Sequence, residues 1–505
     1  MQEMISPFGG YKTISPFVMV IFGATGDLTA RKLMPALYNL LDQGILPDRF
    51  FIVGVARRQF SDEEFRQMMK EAVIKFSRSG EIKEGIWKKL AKNVFYQQGM
   101  FEDEATYNSL IGRLSQFDKE IGACITRFFY LATPPQNYAT ILAYLNTTKL
   151  AEGCGQGSSR WTRILIEKPF GKDLNQAKQL EEQLAKTFEE RQIYRIDHYL
   201  AKETIQNIMA FRFANLMEYL WNKDFIDHVQ ITLAESEGVG RRGKFYEGVG
   251  ALKDVAQNHL MAILAYITME EPKSMIAADI REMRVEVLKK IRGADNPDYI
   301  VRGQYGRGVL GGKETVGYRE EKDVLPDSLT ETYVAFKLFI DNERWKGVPF
   351  YLRTGKRLVK DVTRIDIQLK NRQSQFFSQF KLPEGGANAI TIQVQPKEGI
   401  SLRFLAKIPG LSYEIKPVDM DFSYSTSFHR EIADSYEKIL MDTMMADQTL
   451  FATARGFAAT WEYITSIIKM WENQGKPGFP NYAAGSWGPK ESFDLIERDG
   501  RKWVV

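Results

Sequence analysis

The stretch that most restricts how this chain can fold is Phe17-Val18-Met19-Val20-Ile21-Phe22, which passes through Gly23-Ala24-Thr25-Gly26-Asp27 into a region where Leu33, Leu37, Leu40 and Leu41 recur at helical intervals. A short strand that is apolar at every position is buried on both faces, as in parallel sheets covered by helices. A glycine turn between such a strand and a helix lets a ligand phosphate approach the main chain and meet the N–H groups of the helix start. The spacing is G-x-x-G rather than G-x-G-x-x-G, so the order strand, turn, helix carries the reading more than the glycines do. Gly23, Thr25, Gly26, Asp27 and Leu28 are therefore candidate contacts for a dinucleotide.

The same grammar continues. Phe50 to Ala56 is a second buried strand, and Ser61 with Glu64 three residues later forms a capping-box pattern opening a helix. Phe128 to Ala132 and Arg163 to Glu167 are further strands, stopped by Pro134-Pro135 and Pro169. Strands alternating with helices predict a parallel sheet with both faces covered. After about residue 195 the pattern changes. Val229, Ile231 and Leu233 alternate with polar residues, and Tyr333–Ile340, Arg364–Leu369, Ile390–Val394 and Ser401–Ala406 follow through short connections, which predicts an antiparallel meander. One long helical pattern runs from about Ile432 to Glu472. The expected architecture is α/β plus α+β: a Rossmann-like dinucleotide-binding domain over 1–198 and a larger domain on an antiparallel sheet over 199–505.

Composition removes several classes. With 68 basic and 64 acidic side chains the net charge is only +4 over 505 residues, and no basic run is dense enough for nucleic acid. The opening apolar run is shorter than the roughly 7–15 residues of a signal-peptide core, and nothing approaches the roughly 18 of a membrane span. Two cysteines, Cys124 and Cys154, make neither a disulfide framework nor a thiol-rich metal site, which favours a reducing, cytoplasmic setting. There is no H-E-x-x-H or C-x-x-C, and no serine lies between glycines spaced as in G-x-S-x-G, so metal-dependent and serine hydrolases have no support.

The second strand ends in Ala56-Arg57-Arg58-Gln59, where NAD enzymes commonly place an acid on the ribose 2′-hydroxyl. Two guanidiniums there suit a 2′-phosphate, each charge-assisted bond being worth roughly 1.5–3 kcal/mol. Arg57 and Arg58 thus point to NADP, with NAD left open as a second acceptor and a solvated arginine pair as the plain alternative.

Three further segments, Glu167-Lys168-Pro169-Phe170-Gly171, Arg195-Ile196-Asp197-His198-Tyr199-Leu200-Ala201-Lys202-Glu203 and Asp254-Val255-Ala256-Gln257-Asn258-His259-Leu260, occur in this order. With GATGDL near the start and SWGPKES near the end, they closely resemble glucose-6-phosphate dehydrogenases over nearly the whole chain. The departures are Ala201 at a usual glycine, Arg241-Arg242-Gly243-Lys244 in place of a glycine-richer stretch, and no acidic pair near Ala454-Arg455-Gly456.

The resemblance implies oxidation of glucose 6-phosphate by NADP, the first step of the oxidative pentose phosphate pathway, in a homodimer or homotetramer assembled through the second-domain sheet. It implies His259 as general base and Asp197 as the carboxylate that orients it, a sound arrangement because the partner fixes the tautomer and offsets the developing charge. It implies His198, Tyr199, Lys202 and Lys360 at the substrate phosphate, Glu235, Asp254 and Lys356 at the sugar, and Lys168 between nicotinamide and sugar. His198 and Lys202, four apart, would share one face of a helix. Asp254 and His259, five apart, would lie about 140° apart on an ideal α-helix, which fits one cleft poorly. His228 and His429 match no motif. Two rival readings are a Rossmann dehydrogenase of free sugars, which needs no phosphate cradle, and an NADPH-binding regulator that has lost catalysis.

Overall fold

The computed structural model describes residues 14–154, 162–370 and 388–505. The chain divides into two compact units: one comprises residues 1–201, 272–282 and 433–454, the other 202–271, 283–432 and 455–505. Among the described residues no helix is long and apolar enough to cross a membrane.

The first unit is built on a six-stranded parallel sheet: β1 (Phe17–Phe22), β2 (Phe50–Ala56), β3 (Val94–Gln98), β4 (Thr126–Leu131), β5 (Arg163–Ile166) and β6 (Ile193–Arg195), in the order β3-β2-β1-β4-β5-β6. β1 and β2 are buried at every position, as their unbroken apolar runs require. The order reverses between β1 and β4, and the crevice beyond their carboxyl ends is where sheets of this kind bind ligands. The helix α1 (Met34–Asp42) follows β1 after a π-turn over Thr29–Leu33, and α2 (Asp62–Phe76) follows β2. The capping box is present as expected: the Ser61 hydroxyl accepts from Glu64 N, and Glu64 Oε2 accepts from Ser61 N at 2.7 Å.

The helical pattern read from Ile432 to Glu472 is two helices, Ser435–Met445 and Ala454–Asn473, broken at Ala446 in the left-handed region at φ +60°. The first belongs to the first unit, where buried Glu437 bonds Arg78 Nε at 2.8 Å and Asn39 Nδ2 at 2.8 Å. The two cysteines, too few for a disulfide framework and read as favouring a reducing setting, form a single disulfide in this structure, with Cα atoms 5.7 Å apart. It joins the loop before β4 to the one after Leu150–Glu152.

The second unit carries a nine-stranded sheet of β7 (Ile226–Ala234), β8 (Ile291–Arg292), β9 (Ile300–Gly303), β10 (Tyr333–Ile340), β11 (Phe350–Gly355), β12 (Val362–Leu369), β13 (Ala389–Gln395), β14 (Gly399–Lys407) and β15 (Ile415–Ser423). The order is β15-β14-β13-β12-β7-β11-β10-β8, with β9 also on β10. The expected meander holds for β12 to β15, whose pairs are all antiparallel. It fails at the centre: β7 pairs β11 in parallel and β12 antiparallel, so the sheet is mixed. A strand that arrives early and is inserted between later ones leaves no local trace in sequence. β7 and β11 end side by side at Ala234 and Gly355, which brings Glu235 and Lys356 out of the sheet at one place.

Candidate functional site

The glycine turn lies at the carboxyl ends of β1 and β4. Gly23 adopts φ +88°, and a Cβ there would stand 2.4 Å from the carbonyl oxygen of Ala132, so only glycine fits. Gly26 N bonds Gly23 O at 2.9 Å, closing the turn, and the chain from Asp27 and Leu28 onward is helical. Thr25 and Gly26 are half-buried and Asp27 is exposed, paired with Arg31 at 3.6 Å. A bare glycine surface against the first N–H groups of a helix is a concave, positive end of the kind that takes a pyrophosphate. Arg57 and Arg58 follow β2 with exposed side chains. These residues fit a dinucleotide carrying an extra phosphate on its adenosine ribose.

Further along the same sheet edge, Lys168 follows β5 and joins Pro169 through a cis peptide bond. Its neighbour Glu167 accepts from the hydroxyls of Tyr130 at 2.5 Å and Tyr436 at 3.2 Å. Burial pushes the Glu167 carboxyl up to about 7, only partly offset by the two phenols and Lys168. Asp197 is buried, and its Oδ1 accepts from Tyr199 N at 3.0 Å. The His198 ring lies against Tyr199, centroids 4.8 Å apart, and stacks on Tyr436 at 6.4 Å. The helix expected to align His198 with Lys202 does not form there. Residues 198–201 are in turns, and the helix runs over Glu203–Phe213 with Lys202 as its N-cap.

In the second unit Lys356 is nearly inaccessible, its Nζ 2.6 Å from Glu235 Oε2 and 4.0 Å from Asp254 Oδ2. The ammonium stands 5.3 Å over the ring of Tyr246, a phenol that burial keeps neutral. Glu235 sits one residue past β7, where the alternation of Val229, Ile231 and Leu233 broke. Lys360 is exposed, 5.7 Å over the Trp487 ring.

Asp254 and His259 lie on a π-helical stretch, Leu252–Leu260, that runs into the α-helix Met261–Thr268. The following Met261 N–H bonds the carbonyl of Ala256, five residues back. In i→i+5 geometry residues five apart are stacked about one turn above each other. The 140° separation expected of an α-helix therefore narrows, and both side chains are buried.

His228 is buried and structural: Nδ1 lies 2.6 Å from Asp227 Oδ2 and Nε2 is 2.9 Å from Gln230 Nε2. Glu331, which no motif marked, accepts from Leu252 N at 3.0 Å and so anchors the start of the π-helical stretch. Its carboxylate lies flat against Gly250, at φ +69°, where a Cβ would come within 2.1 Å of Oε1.

Residues 20–207 match the family described as glucose-6-phosphate dehydrogenase, NAD binding domain, and residues 209–504 match glucose-6-phosphate dehydrogenase, C-terminal domain. The chain is 45% identical over 505 residues to a glucose-6-phosphate 1-dehydrogenase of Chlamydia pneumoniae, covering 99% of this chain and 98% of the relative. It is 41% identical to glucose-6-phosphate 1-dehydrogenase 2 of Mycobacterium tuberculosis, covering 97% and 94%. Among solved structures it superposes with a TM-score of 0.88, at 32% identity and over 97% of this chain and 98% of the other, on a glucose-6-phosphate dehydrogenase in complex with its substrate glucose-6-phosphate. A glucose-6-phosphate 1-dehydrogenase of Mycobacterium avium gives 0.80 at 31% identity, covering 97% and 98%.

Proposed function

This chain belongs to the glucose-6-phosphate dehydrogenase family, and from that premise we propose that it oxidises the C1 hydroxyl of D-glucose 6-phosphate to 6-phospho-D-glucono-1,5-lactone with NADP as hydride acceptor. NADP, held by the Gly23–Leu28 turn, Arg57, Arg58 and Lys168, would supply the nicotinamide carbon that takes the hydride. His259 accepts the C1 hydroxyl proton, and Asp197 orients the imidazole and offsets its charge. His198, Tyr199, Lys202 and Lys360 hold the substrate phosphate, while Glu235, Asp254, Lys356 and Lys168 hold the sugar.

The observation that carries this reading is the π-helical stretch. Its i→i+5 geometry supports His259 and Asp254 sharing one face, and Asp254 lies 4.0 Å from Lys356, which pairs with Glu235. That supports a proton acceptor beside a charged, hydrogen-bonding cluster suited to hydroxyl groups. A phosphate cradle distinguishes this activity from oxidation of a free sugar.

The test is NADPH absorbance measured with glucose 6-phosphate, glucose and 6-phosphogluconate, for the parent and for His259→Asn. Turnover should be confined to glucose 6-phosphate, and the variant should lose about 10²–10⁴-fold in kcat with affinity largely kept. Near-normal turnover would remove His259 from the base role, and equal kcat/KM for glucose would remove the phosphate cradle. An inert parent that still binds NADP would favour the regulatory alternative.

The reading extends to a cytoplasmic homodimer or homotetramer, with residues 1–198 serving the cofactor and 199–505 the substrate and assembly. Exposed Phe404, Val418 and Met420 on β14 and β15 support assembly through that sheet. Light scattering of the purified protein, with a single mass of one chain as the contrary result, tests it.

A further inference from the structure

Arg57 and Arg58 sit on an exposed connection between β2 and α2, and a guanidinium on a long stem selects a ligand only if its main chain is held. The hold comes from β3, which runs parallel to β2 with Gln98 opposite Ala56. Tyr96 and Gln98, two apart, project from one face of β3. The Tyr96 hydroxyl lies 3.0 Å from Ala56 O and also bonds Arg58 O. Arg58 O is the nearer of the two acceptors, so the single phenol proton serves it, while Ala56 O also accepts from Gly99 N at 3.0 Å. Gln98 Nε2 donates to Arg57 O at 3.3 Å.

The connection is held at its far end too, because Tyr96 N donates to Asp62 Oδ1 at 2.6 Å, at the first residue of α2. Tyr96 is buried, its ring packed edge-on to Phe60 at 5.6 Å and tilted on Phe65 at 5.0 Å, so the hydroxyl cannot wander. Burial also raises its pKa, which keeps it a donor at neutral pH.

We propose that Tyr96 and Gln98 are specificity-determining positioning residues: by holding the carbonyls of Arg58 and Arg57 they aim the two guanidiniums at a 2′-phosphate on the adenosine ribose, and so set the preference for NADP over NAD. This rests on the reading of Arg57 and Arg58 as the 2′-phosphate contacts.

The experiment measures the Kd of adenosine 2′,5′-bisphosphate and of adenosine 5′-monophosphate by calorimetry on the full-length protein. The variants are Tyr96→Phe, Gln98→Ala, the double variant and Arg57→Ala, with kcat and KM for NADP measured beside them. Two hydrogen bonds of ordinary net worth correspond to about tenfold. The double variant should bind the bisphosphate about tenfold more weakly and the monophosphate within twofold of the parent. KM for NADP should rise in step while kcat at saturation changes less than twofold. Tyr96→Phe keeps the ring and its packing, so it isolates the hydroxyl from any folding defect. Equal losses for both nucleotides, or none for the bisphosphate, would overturn the proposal. If Arg57→Ala also leaves bisphosphate binding unchanged, the 2′-phosphate reading itself fails. If Arg57→Ala weakens it and the double variant does not, only the positioning role fails.

Discussion

Replacing Glu331 by Gln should alter how stability depends on pH, with a sign the geometry dictates. The carboxyl sits between the N–H of Leu252, the α-carbon of Gly250, and the charges of Lys253 and Arg302. Burial dominates over these favourable neighbours and pushes its pKa from 4.5 up to about 7. Between those two values the folded protein keeps a proton that the unfolded chain has released. The stabilisation from this group is therefore whole below pH 4.5 and is lost as pH rises through about 7.

The rise from 4.5 to about 7, at roughly 1.4 kcal/mol for each tenfold change in proton affinity, bounds the effect at about 3.5 kcal/mol. Glu331 keeps partial solvent access, so about 2 kcal/mol is the working figure. Gln imitates the protonated form and can still accept from Leu252 N. Parent and Glu331→Gln should differ least at pH 5, and the variant should become the more stable by about 2 kcal/mol at pH 8. For a unit of roughly 250 residues that is about 4 °C in Tm. Paired melting curves by circular dichroism at pH 5, 6, 7 and 8 read it directly. A Tm difference that stays constant, or a parent that gains on the variant as pH rises, would refute the reasoning. Either result would mean that Arg302, Lys253 and the helix start hold the group ionised.

Two other perturbations have sharp outcomes. Gly23→Ala forces a Cβ to within 2.4 Å of Ala132 O at φ +88°, so calorimetry should find NADP affinity reduced at least about 100-fold with the protein still folded; near-parent affinity would mean the turn does not meet the cofactor. Cys124→Ser opens a covalent loop spanning 30 residues, worth up to about 3–4 kcal/mol by loop entropy; its Tm should fall below that of the parent without reductant and equal it in dithiothreitol, and equal values in both conditions would show that the bridge does not form.

How much of this was legible in the sequence divides along a physical line. β1 and β2 were readable because burial on both faces writes an unbroken apolar run, and the Ser61 capping box because its two bonds close within four residues. The parallel pairing of β7 with β11 was not, because no residue of Ile226–Ala234 records which later strand will lie beside it. Nor was the break at Ala446, where a non-glycine residue takes a left-handed conformation that its residue type does not signal. The π-helical stretch is the telling case. Its residues fit an α-helix equally well, so the candidate residues were legible and the i→i+5 geometry that alters the angle between Asp254 and His259 was not. The same line separates the residues that would touch ligands from those that hold them. Arg57, Lys168 and His259 would act through side-chain chemistry, and residue type advertises that. Tyr96, Gln98 and Glu331 act on main-chain carbonyls and N–H groups that every residue but proline possesses, so nothing at the receiving positions marks them. Residues that position a site through the backbone are thus the ones a motif search is least able to find.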